Sequence, residues 1–209
     1  MMKTDYLKII FFKRLSKYTD NKKLINDTFA DLLNDYTGEK RHYHDLTHVV
    51  DLLNLLEANK FLIGDDDVIF FAIWFHDAIY NTWKTNNEDK SAEMAQNVLS
   101  KTSMPPSRIE KVVNYIMATK THVSNNDNDL NFFLDFDLSI LGADEVIYEV
   151  YTRQIREEYN SFISFNYSRG RKKMLKSLLE REFIYNTPIF REKLEAKARE
   201  NMEKELTIL

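Results

Sequence analysis

An all-α, single-domain helical bundle is the fold this chain predicts, and three observations predict it. Chain breakers are scarce, with 4 glycines and 3 prolines in 209 residues, whereas a turn-rich β fold needs many. Apolar residues recur at three- and four-residue spacing in nearly every segment, as in Leu24, Ile25, Phe29, Leu32 and Leu33. That is the period of a helix with one buried face. No stretch has the composition of an interdomain linker, so residues 1–209 read as one unit.

The elements follow in order. The periodicity predicts helices over 4–18 and 22–36, closed by the polar break Thr37-Gly38-Glu39-Lys40. A third covers 44–59, with Val49, Leu52, Leu53 and Leu56 inward. Gly64-Asp65-Asp66 reads as a turn and N-cap for a helix starting near Asp67. Val68 to Phe75 is apolar on every side, which marks that helix as central. A polar loop over 81–87 leads to a helix over 88–100. Pro105 and Pro106 open the next, because proline is tolerated in a first turn. It ends in the loop-like run 124–129. Residues 131–140 form a short apolar segment broken by Gly142. Helices over 143–160, 168–185 and 188–205 finish the chain and pack on the rest.

Composition removes several function classes. Without cysteine there are no disulfides, thiolate metal sites or cysteine nucleophiles. The 29 Lys+Arg against 33 Asp+Glu leave a net charge of −4, so no global charge argues for nucleic acid or anionic membrane. The basic run Arg169-Gly170-Arg171-Lys172-Lys173 is read as a solvated helix start, with nucleic-acid contact as its alternative. No apolar run approaches the ~20 residues of a membrane span, and Asp5 and Lys8 interrupt any leader-like start. The expectation is a cytoplasmic protein, with a homo-oligomer left open. Neither a glycine-rich phosphate loop nor His-Glu-x-x-His is present.

The chemistry gathers around a few residues. His44 and His48 are four apart and, in helical register, share one face. His76-Asp77 ends the central apolar helix, and Asp135 and Asp137 sit in Phe132-Phe133-Leu134-Asp135-Phe136-Asp137-Leu138. A carboxylate in such surroundings needs a cation or hydrogen-bond donors. Asp135 and Asp137 diverge on a helix, so one of the two joins the cluster. Each residue alone has a plain reading as a packed histidine or a helix cap, but one divalent metal ion satisfies them all together. Imidazole favours Fe, Mn, Co, Ni or Zn over Mg.

Several strings carry a resemblance: Tyr43-His44-Asp45-Leu46-Thr47-His48, Trp74-Phe75-His76-Asp77-Ala78 and Asp137-Leu138-Ser139-Ile140-Leu141-Gly142. To these are added Arg41-His42, Asn87-Glu88, Ala118-Thr119-Lys120, Ile155-Arg156-Glu157-Glu158-Tyr159, Arg181, Ile184-Tyr185 and Ala198-Arg199-Glu200-Asn201. Together they resemble the HD-domain superfamily, in a branch of bacterial predicted metal-dependent phosphohydrolases, from about residue 40 onward. The motifs that carry the site fall within 41–142. The resemblance implies His48, His76, Asp77 and Asp137 as ligands of one divalent ion, with Asp137 chosen over Asp135. It also implies His44 as the acid that protonates a leaving oxygen.

The expected activity is hydrolysis of a phosphate ester on a small phosphorylated molecule, such as a nucleotide. A divalent ion polarises a phosphoryl oxygen and lowers the pKa of water. Asp77 or Glu88 is expected to position or deprotonate that water, with His44 as general acid. Lys84, Lys120 and Arg156, and behind them Lys90 and Arg153, are the cations available to developing phosphoryl charge. The plain alternative for each is a solvated surface position. His122 is left open between site, phosphate contact and surface, and Tyr80 and Trp83 between core packing and base stacking. The rival from another class is a non-catalytic metal- or nucleotide-binding sensor on the same scaffold; an intact ligand set favours the enzyme.

Overall fold

The computed structural model describes residues 3–123 and 125–209. Met1, Met2 and Ser124, which the single-unit reading and the 124–129 loop include, lie outside them. Among the described residues the chain is helical, without a strand. Its helices are α1 (Lys3–Leu15), α2 (Lys22–Tyr36), α3 (Leu46–Asn59), α4 (Asp66–Phe75) and α5 (Asn87–Leu99), followed by α6 (Pro106–Ala118), α7 (Asn128–Leu138), α8 (Glu145–Glu158), α9 (Ser164–Leu179) and α10 (Pro188–Ile208). Short 3-10 turns cover Lys60–Leu62 and Ser139–Gly142.

α4 is the central helix, as its composition predicts. Every residue from Asp67 to Phe75 is buried, and α4 packs against α3, α5, α6 and α7. Its start is fixed by polar side chains. Asp65 caps it by accepting from Val68 N, and Asp66 and Asp67 place negative charge on the positive end of the helix dipole. Asp67 also takes hydrogen bonds from Arg14 (2.5 Å), Lys17 (2.8 Å) and Tyr18 (2.6 Å), which ties the end of α1 to the start of α4. Phe11 meets Trp74 edge-on at 5.2 Å in the core beneath. From the other side, Asp129 on α7 accepts Gly64 N and Asp65 N at 2.8 Å each. The helix that ends in His76-Asp77 is thus anchored at its far end from two sides, by the end of α1 and by α7.

Helix boundaries depart from the periodicity where side chains intervene. α1 stops at Leu15 rather than 18, because Lys17 and Tyr18 turn toward Asp67. α3 begins at Leu46 rather than 44: Asp45 is its N-cap, with its carboxylate accepting Thr47 N at 2.6 Å. His44 therefore lies outside the helix that carries His48. α9 runs from Ser164 to Leu179 instead of over 168–185. The chain after it is held by α10, where Arg199 donates to the carbonyls of Leu179, Arg181 and Glu182 and Glu195 accepts Ile184 N and Tyr185 N.

Two contacts seat α10 and fix the end of α7. Asp135, fully buried, accepts Asn186 N (2.6 Å), Thr187 N (2.7 Å) and Thr187 Oγ1 (2.6 Å), so it organises the turn that starts α10. Gly142 lies so close to α10 that an added Cβ would sit 2.6 Å from Leu194 Cβ. The final turn of the Asp137 segment therefore needs glycine.

Candidate metal centre

The end of α4, the first turn of α3 and the last turn of α7 meet at one point. There His48 Nε2 lies 3.2 Å from His76 Nε2 and 3.2 Å from Asp137 Oδ1, and His76 Nε2 lies 3.6 Å from the same oxygen. His48 and His76 are buried and Asp137 is nearly so. These three residues form a group that could hold a metal ion. Asp77 stands at its edge, with Oδ2 3.2 Å from His76 Nε2 and 4.0 Å from the Nε2 atoms of both His44 and His48.

The donor set fits a cation on one further observation. His76 Nδ1 lies 2.9 Å from the Ile73 carbonyl, which only accepts, so Nδ1 carries the proton. In the neutral ring, Nε2 then offers a lone pair toward His48 and Asp137, the tautomer a metal ligand needs. Two imidazole nitrogens at 3.2 Å are poor neighbours unless a proton or a cation stands between or beside them. Without an ion, protons take that part. Burial opposes charge on His76, but Asp77 and Asp137 outweigh it and hold its pKa well above the usual histidine value. Burial likewise opposes ionisation of Asp137, yet His122, His48 and His76 depress its pKa strongly.

Surrounding groups hold this arrangement. Glu158, at the last turn of α8, accepts the amides of His42, Tyr43 and His44 through Oε1 at 3.0, 2.9 and 2.8 Å. Its Oε2 lies 2.7 Å from His44 Nδ1, so Nδ1 donates and Nε2 is left facing Asp77. Although burial raises the pKa of Glu158, its bonds to His44 and the nearby amides bring it down to about 2. Arg41 donates to the carbonyls of His44 (2.9 Å), Asp77 (2.7 Å) and Ala78 (2.7 Å), clamping the His44 loop to the His76-Asp77 turn. His122 Nε2 donates to Asp137 Oδ2 at 2.7 Å. Its backbone is left-handed, φ 49°, and Arg181 holds the carbonyls of Thr121 and His122 at 2.6 and 2.8 Å.

The cluster opens on a cleft of about 880 Å³. His44, His122 and Asp137 line one end. Tyr43, Tyr80, Tyr151, Tyr159 and Phe162 contribute aromatic walls, and Lys120, Arg171 and Arg181 contribute charge. Lys120 is paired with Asp89 at 2.5 Å. Arg171 is buried in a two-point pair with Glu205, at 2.7 and 3.0 Å.

The sequence-predicted residues therefore divide. His44, His48, His76, Asp77 and Asp137 come together, while Asp135 faces the start of α10 instead. His44 does so from a loop held by Glu158, not from the shared helix face that its spacing suggested. Lys120 lines the cleft; Lys84, Glu88 and Arg156 do not. Lys84 belongs to an exposed turn closed by its amide on the Asn81 carbonyl. Glu88 sits in the first turn of α5, half-buried. Arg156 donates to the carbonyls of Tyr159 and Phe162 and covers the Tyr167 ring, bracing the end of α8. Lys90 pairs with Glu93 and Arg153 is exposed. Tyr80 lies face-near to His44, 4.4 Å between ring centres, and donates to Glu158, while Trp83 stacks on Phe162.

Three participants have roles that their place in the sequence does not state, although Arg41 and Glu158 lie in strings that carry the resemblance and the sequence leaves His122 open. Glu158 reads as one acid among several on α8, Arg41 as a loop cation, and His122 as an isolated histidine. What they share is a position where distant segments meet, buried for Glu158 and half-buried for Arg41 and His122, visible only once the helices are assembled. No family model matches the chain, and no curated protein or solved structure matches it.

Proposed function

We propose that this chain is a metal-dependent phosphohydrolase of the HD type, cleaving a phosphate ester in the cleft beside the His48-His76-Asp137 group. One observation carries the reading: buried imidazole and carboxylate donors converge at the inner end of an open cleft, with a histidine of fixed tautomer beside them. A purely structural metal site is closed on all sides, whereas this one borders space for a ligand.

In this reading His48, His76, Asp77 and Asp137 hold one divalent ion, with Fe, Mn, Co, Ni or Zn favoured over Mg by the two imidazoles. Such an ion supplies Lewis acidity toward a phosphoryl oxygen and a lowered pKa for water. Asp77 lies between the ligand group and His44, where its carboxylate orients the attacking water. His44 Nδ1 is committed to Glu158, so Nε2 is the atom that delivers a proton to the leaving oxygen. Lys120, steadied by Asp89, offers positive charge at the wall of the cleft. The aromatic walls suit a substrate with a flat or apolar portion, such as a nucleotide.

The test is phosphate release from a panel of phosphomonoesters and phosphodiesters after loading with each candidate metal. The reading expects turnover by the native chain that disappears in His48→Ala and Asp137→Ala and falls in His44→Ala. Metal binding with no turnover across the panel would favour a sensor on the same scaffold.

A further inference from the structure

α9 forms one wall of the cleft, and its opposite side carries a second concavity that the hydrolase reading does not use. This groove, about 690 Å³, is lined by Arg169, Lys172, Lys173 and Lys176, with Phe165 at one end. The four cations stand at positions i, i+3, i+4 and i+7, so they share one stripe of the helix. With a rise of 1.5 Å per residue, that stripe is about 10 Å long. Among the described residues none of the four forms an ion pair. Lys23, Lys90, Lys111, Lys120 and Lys204 have carboxylate partners; Lys84 and Arg153 are unpaired too among the described residues, so what sets the α9 cations apart is that four of them line one groove. Glu180 is the acid that lines the groove. In a chain of net charge −4, this is a concentrated patch of the opposite sign.

We infer that the α9 groove binds a single-stranded nucleic acid, with the four cations fanned onto its backbone phosphates and the Phe165 ring against a base. Three observations favour that occupant. Cations in three rows about one helical turn apart, Arg169, then Lys172 with Lys173, then Lys176, suit a chain of phosphates. Phe165 is 72% exposed at the end of the stripe, and an exposed ring beside a basic track is the stacking platform such strands use. The groove is concave and carries the hydroxyls of Ser168 and Ser177, which suits a strand rather than a flat surface. An anionic membrane fits less well: a helix that lies in the bilayer interface must insert its apolar face, and that of α9 is buried against the protein through Tyr167, Leu175 and Leu178.

Ser177 lines both the groove and the metal-bearing cleft, so a strand on one side of α9 has a short path to the other. Binding in the groove does not depend on the hydrolase reading, and the test keeps the two apart.

The full-length chain is titrated, with chelator present, against a short fluorescein-labelled single-stranded oligouridylate, and anisotropy is followed at increasing salt. Four phosphate contacts predict a slope of log K against log salt of about −3, at roughly 0.7 per contact. Lys172→Gln/Lys173→Gln/Lys176→Gln removes three contacts, so the slope shrinks to about −1 and low-salt affinity drops at least about tenfold. Phe165→Ala weakens binding about tenfold with the slope unchanged. Phe165, Lys173 and Lys176 are exposed and Lys172 partly so, and an unchanged melting temperature verifies that the variants fold. No binding at low salt would overturn the inference. So would binding that the triple variant leaves intact, or binding to phosphatidylserine vesicles that the triple variant abolishes while the oligonucleotide stays free.

Discussion

Glu158 Oε2 and His44 Nδ1 lie 2.7 Å apart, and the other oxygen of the same carboxylate gathers three consecutive amides from His42 to His44. One side chain thus fixes both the loop that carries His44 and the tautomer of its ring. Burial opposes a charge on His44, but Asp77 and Glu158 reverse that and raise its pKa. Glu158→Gln keeps the shape and removes the charge. With the proposed acid role, kcat should fall on the order of 10²-fold with a smaller change in KM. Activity that needs protonated His44 is lost as pH rises through its pKa. The alkaline limb of the pH profile should therefore move to lower pH in the variant.

His122 acts on the centre through Asp137. It donates to Oδ2, leaving Oδ1 toward His48 and His76. Partners of this kind orient a ligand and typically alter metal affinity by 10–100-fold. His122→Asn keeps a residue that tolerates the left-handed backbone while shortening the side chain. Chelator competition should show metal affinity weakened by about that factor, with helix content unchanged.

Acid stability should depend on Asp67. Burial raises its pKa, but Lys17, Tyr18 and Arg14 outweigh that and bring it down to about 2. A depressed carboxylate stabilises the fold fully above its unfolded pKa of about 3.9 and ceases to do so as pH falls through the folded value. The predicted loss is about 2 kcal/mol between roughly pH 4 and pH 2. Urea unfolding of Asp67→Asn across that window should show a flatter dependence than the native chain.

Packing at the turn after α7 yields a stability prediction. A methyl at Gly142 would meet Leu194 Cβ at 2.6 Å and the Leu194 carbonyl oxygen at 3.0 Å, and backbone cannot step aside cheaply. Gly142→Ala should destabilise by about 1–3 kcal/mol, measured by urea unfolding. Gly170, where an added Cβ meets nothing within 4 Å, is the contrast: alanine there should leave stability equal or improve it by up to about 1 kcal/mol.

Much of this architecture is legible in the chain itself. α2 spans the residues its periodicity predicts, and α4 betrays its central place because no face from Val68 to Phe75 is polar. That the His44/His48 pair, His76-Asp77 and one of Asp135 and Asp137 would meet is likewise foreseeable, since histidines and carboxylates in apolar surroundings need partners, whereas the choice of Asp137 over Asp135 comes from the resemblance. Hidden from a one-dimensional reading is whatever depends on distant side chains. Arg199 and Glu195 on α10 organise the chain beyond α9 against its helical periodicity. Glu158 lies 114 residues from His44, and Asp45 takes the cap position that separates His44 from the helix of His48. Arg156 looks like a free cation until the carbonyls of Tyr159 and Phe162 are seen to occupy it.

The central claim is that His48, His76, Asp77 and Asp137 hold a catalytic ion, and metal content tests it most directly. Elemental analysis of the native chain, purified without chelator and again after reloading, should find about one transition-metal ion per chain. Asp137→Ala and Asp77→Ala, shown by circular dichroism to keep their helices, should retain none. A native chain that stays metal-free after reloading with Fe, Mn, Co, Ni and Zn would contradict the account.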